Sequence, residues 1–208
     1  MDRGINLDLK EWRIVFIFFG LATIILFNFP SFSNLFVSRN EKTIAMAILD
    51  SNMMADNYFL YNNDTMKLGD KVSWYIQLDN KWGKTQYCQI KIKIVDDSAA
   101  SPNISVCSPC LSPTIFALRK LVISDEVAYD HFNLSFIGVN KTGNNMLISK
   151  IMINDYLLDV DINIRGNHVK ILFELWIFDD ETNDFEFIIS DEESTRCIWN
   201  QIWLYLIL

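Results

Sequence analysis

Glycine and proline are scarce in this chain, at 7 and 4 of 208 residues, which excludes collagen-like and low-complexity disordered compositions. Histidine occurs twice, at His131 and His168, and neither sits in a recognisable partner motif. There is no G-x-S-x-G, no H-E-x-x-H and no glycine-rich phosphate loop, so no catalytic residue is assigned and the chain reads as a non-enzyme. Basic residues are few and interspersed with acids. The formal net charge of −8 argues against a nucleic-acid partner, which needs a basic face. No polybasic run is present to hold anionic lipid.

What the chain does have is hydrophobicity, at 50% of residues, and one uncharged run near its start. From Ile14 to Phe29 only Thr23 and Asn28 are polar. As a helix this run reaches about 24 Å, short of the roughly 30 Å hydrocarbon core. Phe32, Leu35, Phe36 and Val37 extend it past Pro30, and Trp12 is placed as an interfacial anchor. A cleaved signal peptide needs a basic leading segment and a small-residue cleavage site. Here Arg3, Lys10 and Arg13 are matched by Asp2, Asp8 and Glu11, and no A-x-A follows. The expectation is a short cytoplasmic segment over 1–13, an uncleaved transmembrane signal anchor over 14–37 and an extracytoplasmic domain over 38–208. Three Lys/Arg before the run against Arg39 and Lys42 after it favour an inside N-terminus. This localises the chain to a cell membrane, single-pass, with its bulk outside.

Past residue 40 the hydrophobic period is two. Val72, Trp74, Ile76 and Leu78 alternate with polar or amphipathic residues, as do Cys88, Ile90, Ile92 and Ile94. With Asp79 to Lys84 between them, these runs predict an antiparallel hairpin. A second hairpin is expected from Val169–Phe178 and Phe185–Ile189, joined by the acidic turn 179–184. Ile198–Leu208 predicts a last strand. Further candidates are 43–49, 115–123, 132–139 and 146–153, the first of which also suits a helix. Seven to nine strands of this kind predict an all-β fold, an Ig-like or fibronectin-like antiparallel β-sandwich behind one N-terminal transmembrane helix. Residues 95–113 interrupt the series with three of the four prolines and many serines, and read as a long surface loop.

That loop carries Cys107-Ser108-Pro109-Cys110, the spacing of zinc ligands and redox dithiols. A zinc site wants a second ligand pair at short spacing, and a redox centre wants a βαβ context. Neither is present, so no metal ligand and no cofactor is assigned. Outside the cytosol, Cys88, Cys107, Cys110 and Cys197 are disulfide candidates with three possible connectivities, although Cys88 also suits a buried thiol. Metal binding or thiol–disulfide chemistry at Cys107 and Cys110 is the alternative function. The glycosylation candidates are Asn63, Asn103, Asn133 and Asn140, each in an N-x-S/T sequon usable only outside the cytosol. The acidic turn 179–184 lacks the glycine and glutamate of a calcium loop in either register. Met46, Met53, Met54 and Met66 lack the histidines of a copper site and read as packing residues.

The stretch Phe173-Glu174-Leu175-Trp176-Ile177-Phe178-Asp179, followed by Glu181-Thr182-x-Asp184-Phe185-x-Phe187 and Trp199-Asn200-Gln201-Ile202-Trp203, resembles the archaeal domain-of-unknown-function 1616 family. The short single-anchor members of ammonia-oxidising archaea are similar in pattern. Asn52-Met53-Met54-Ala55-Asp56-Asn57-Tyr58, Gly69-Asp70-x-Val72-x-Trp74, Asn80-Lys81-x-Gly83 and Gln86-Tyr87-x-x-Ile90-Lys91-Ile92-Lys93 extend the resemblance from about residue 44 to the end. It implies a membrane-tethered β-sandwich of an archaeal cell envelope, with no catalytic residues to carry over. The cysteine pair in the 106–113 loop departs from the family's Ser/Pro pattern there. The function expected is that of a non-catalytic binding, structural or accessory subunit with a protein partner. Its first interaction candidates are the 95–113 loop and Trp82.

Overall fold

Inward side chains at every second position build two sheets that close on each other. A computed structural model describes residues 42–60, 64–190 and 195–208, together with Trp12. The expected segments 1–13 (Trp12 apart) and 14–37 lie outside the described residues. Among the described residues no helix is long and apolar enough to cross a membrane.

The strands in chain order are β1 (Ile44–Leu49), β2 (Thr65–Lys67), β3 (Val72–Asn80), β4 (Gln86–Asp96), β5 (Phe116–Val122), β6 (Val127–Thr142) and β7 (Asn145–Ile153). Then come β8 (Tyr156–Arg165), β9 (His168–Asp179), β10 (Asp184–Glu186), β11 (Ile189–Ser190), β12 (Thr195–Arg196) and β13 (Ile198–Ile207). The first sheet has the order β1-β3-β6-β7-β8 and the second β2-β13-β9-β4-β5, with β10 continuing the pairing of β9. The described part is thus an all-β sandwich.

Three expectations change. Strands β3 and β4 do not form a hairpin: β3 pairs with β1 and β6, whereas β4 pairs with β5 and β9. Their connection crosses from one sheet to the other. Asn80 secures the crossing, its Nδ2 donating to the carbonyls of Lys84 and Val122, each at 2.9 Å. The pairing is also not wholly antiparallel, because β2 runs parallel to β13. Finally, β8 is a full strand at the edge of the first sheet that the strand assignment above omits. The 43–49 segment resolves as strand, and the 179–184 hairpin forms with Asp184 opposite Asp179.

The core lies between the sheets. Trp74 and Phe132 of the first sheet stack at 5.9 Å between ring centroids, and Phe173 of the second meets both edge-on at 6.2 and 5.6 Å. All three are fully buried. Burial of each such side chain contributes on the order of 2–3 kcal/mol. The Trp74 indole would be an orphan donor there, but its Nε1 donates to the Tyr58 carbonyl at 2.7 Å. This bond ties the 50–60 loop to the core. Trp82 does not project into solvent from its turn; it is half-buried against the same core.

The opposite face of the second sheet carries the outward residues of β4, β9 and β13. The connection between β4 and β5, residues 97–115, crosses this face before returning to the sheet, where the Ile115 amide donates to the Ile92 carbonyl at 2.9 Å. Strand β4 runs through Val95 and Asp96, so the loop begins two residues later than its composition suggests.

Candidate functional site

Outward positions on β4 and β9 carry Lys91, Lys93, Lys170, Leu172, Glu174 and Trp176, of which the lysines and the glutamate ordinarily keep their charged ends in water. The 97–115 loop covers the middle of this row. Lys93 and Glu174 form an ion pair at 2.9 Å, with side chains 5% and 0% exposed. Glu174 also accepts from the Cys110 amide at 2.7 Å and from the Trp176 indole at 3.3 Å. The Lys93 ammonium donates in turn to the Cys110 carbonyl. One loop residue therefore satisfies both partners of a buried ion pair through its backbone. Cys110 packs with Val95 and Leu172, flanked by Ala99 and Trp199. Further along, Lys170 is 2% exposed and donates to the Ala99 carbonyl and to Ser101 Oγ, with its ammonium 5.0 Å from the Trp203 ring centre.

Beyond the loop the face opens. Lys91 sits 3.2 Å from the Trp176 ring centre, and Arg119 lies 5.3 Å from that of Phe185. Tyr87, Phe178 and Phe185 form a mutual ring cluster with centroids 5.1–6.1 Å apart. Trp176 meets Phe187 at 5.6 Å. Burial, then the charge of Lys93, pulls the Lys91 ammonium below its ordinary value, while Glu174 and Asp184 oppose the shift. Tyr87, Arg119 and Leu121 are exposed at the rim. The result is an aromatic surface studded with cations on a chain of net negative charge.

All four candidate cysteines are free thiols in the structure. Cys88 faces the core, and burial pushes its thiol up to about 12. Cys110 packs with Val95 and Leu172, away from that core cluster. A pair between these two would have to pass through the sheet. Cys107 occupies a left-handed turn position, φ 46°, with its thiol 3.6 Å from the Ile104 carbonyl. The Cys197 thiol lies against that of Cys107; burial first, then the interaction with Cys107, pushes the Cys197 thiol up to about 12. The thiol that meets Cys107 is thus Cys197, ninety positions away in sequence rather than three. Among the described residues no group of three or more His, Cys, Asp or Glu is arranged to hold a metal.

Of the sequon asparagines, Asn63 lies outside the described residues. Asn103 and Asn140 are exposed, although the Asn103 side chain accepts from the Ser105 amide at 2.9 Å. Asn133 is half-buried and its carboxamide is bonded to Ser73 and His131. His168 stacks on Tyr205 at 4.6 Å and His131 tilts against Tyr75 at 5.1 Å, so both histidines serve as aromatic packing partners. Met46 and Met66 are in the core, and Met53 and Met54 are exposed in the 50–57 loop.

The buried Lys93–Glu174–Cys110 arrangement escapes the reading of the sequence because lysines at alternate strand positions look like a solvated face. No signal in the sequence marks the meeting of Cys197 with the loop. No protein-family model and no curated protein matches the chain. Among solved structures it is similar to Spo0M, a sporulation control protein from Bacillus subtilis, at 8% identity and a TM-score of 0.36, over 79% of this chain and 49% of that one.

Proposed function

We propose that this chain is a membrane-tethered, non-catalytic binding module whose Ig-like sandwich stands outside the cytosol in an archaeal cell envelope, as its resemblance to the domain-of-unknown-function 1616 family implies. The uncharged run over 14–37 supports the tether. The module engages a protein partner through the outer face of its second sheet. One observation carries this reading: the face bears two cation–ring groups, Lys91 with Trp176 and Arg119 with Tyr87, Phe178 and Phe185, on a protein of net charge −8. Aromatic residues and arginine are the side chains that concentrate binding energy at protein interfaces. The partner surface it fits is acidic at its rim and apolar at its centre.

The test is native detergent extraction of the full chain. The expected result is a species larger than the monomer that is lost in Arg119→Glu and Tyr87→Ala chains of unchanged thermal stability. A strictly monomeric chain, or a complex indifferent to both substitutions, contradicts the proposal. The metal or dithiol alternative at Cys107 and Cys110 has no comparable support, since the thiol against Cys107 is that of Cys197.

A further inference from the structure

The 97–115 loop is fastened over the second sheet at several points. Lys170 holds Ala99 and Ser101, Ser101 Oγ lies 3.4 Å from Gln201 Oε1 of β13, and the Cys110 backbone is held between Lys93 and Glu174. Between these anchors the loop makes a turn closed by paired amide–carbonyl bonds between Asn103 and Ser108, at 2.9 and 3.1 Å. Its outer residues Ile104 and Val106 are 68% and 67% exposed. The turn also meets the segment leading into β13, where the Cys107 thiol lies against that of Cys197. Packing places the two segments side by side: Cys197 precedes Trp199 by two residues, and Trp199 packs beside Cys110, three residues from Cys107.

We propose that Cys107 and Cys197 are a disulfide-forming pair that latches the 97–115 loop to the segment leading into β13. This pairing is one of those the sequence leaves open, and it excludes both the Cys107–Cys110 pair and any pair with Cys88. The oxidant is a low-molecular-weight disulfide. A thiolate of one cysteine attacks it, forming a mixed disulfide and releasing one small thiol. The second cysteine attacks the protein sulfur of that mixed disulfide, forming the Cys107–Cys197 bond and releasing the other small thiol. The two cysteines are oxidised by two electrons, the small disulfide is reduced to two thiols, and the protein's two thiol protons pass to them. The latch closes a loop across about half of the domain, and a long loop is the case in which a cross-link constrains the unfolded chain most.

The experiment needs no knowledge of what the outer face binds, so it fails or succeeds independently of the proposed function. The full chain is incubated with oxidised glutathione, remaining thiols are blocked with a maleimide, and the digest is mapped by mass spectrometry without reduction. The expected product is a linked peptide pair containing Cys107 and Cys197, lost in Cys107→Ser and Cys197→Ser chains and retained in Cys110→Ser. Limited proteolysis of the oxidised chain should show loss of cleavage around Ile104 and Val106, restored by reduction. A Cys107–Cys110 link, any link to Cys88, or glutathione adducts with no internal link overturns the proposal. The wild-type map decides the matter even if a serine variant does not fold.

Discussion

Glu174 receives three kinds of donor at once, an ammonium from Lys93 at 2.9 Å, a backbone amide from Cys110 and an indole from Trp176, and its side chain is wholly shielded from solvent. Two charges taken out of water at this depth are tolerated because every lone pair is answered. The pair stands on the outside of the sheet, where the 97–115 loop covers it. The loop is therefore as much a part of the folded domain as the strands it crosses.

Removing one partner should expose that dependence. Glu174→Gln leaves the Lys93 ammonium buried without its counter-charge and is expected to cost about 3–5 kcal/mol in urea unfolding. Lys93→Met, which strands the carboxylate, should cost a similar amount. The double substitution Lys93→Met with Glu174→Leu should recover part of the loss, because no charge is left buried without its partner, although the Cys110 amide and carbonyl then go unanswered. Additive losses in the double variant would show that the two residues act separately.

Acid should act through Asp50 and Asp179. Hydrogen bonds from the backbone, led by Met54 and Thr182 respectively, hold both carboxyls below their ordinary value of 3.8, against an opposing burial effect. A carboxyl with a lowered folded-state pKa adds stability that is complete above its unfolded value and lost as pH falls through the folded one. The thermal midpoint should therefore decline on acidification below about pH 4, and less steeply in Asp50→Asn and Asp179→Asn chains. Melting curves across that range check this; identical slopes in all three chains would contradict it.

Period-two alternation made most of the sandwich readable, since an inward residue at every second position is a local property of a half-buried strand. Leu158, Val160, Ile162 and Ile164 alternate with Asp159, Asp161 and Asn163 in the same way, so β8 was as legible as its neighbours. Partner choice was not legible: Asp79 to Lys84 looks like a hairpin turn, yet Asn80 directs the chain to the other sheet through a bond to distant Val122. The outer-face site was hidden for a related reason. Lys93 and Lys170 are buried by a loop whose landing place depends on strands sixty residues and more along the chain. Cys107 and Cys110 drew attention by spacing, but the fold sends one against Cys197 and the other against Leu172.

Thiol accessibility should separate the cysteines under native conditions. Burial holds the Cys88 thiol at about 12 on the core side of β4, so a maleimide should leave it unmodified at neutral pH until the chain is denatured. Peptide mapping after native and denatured labelling reads this directly. Rapid native labelling of Cys88 would mean that the sandwich opens far more readily than its packing implies.

The central claim, that the open outer face of the second sheet is the binding surface, is tested most directly by position-specific photocrosslinking in native membranes. A photoreactive side chain at Leu121, exposed at the rim of the aromatic and cationic cluster, should capture a discrete partner band. The same group at Leu157, exposed on β8 of the other sheet, should not. Capture at Leu157 with none at Leu121 would contradict the account.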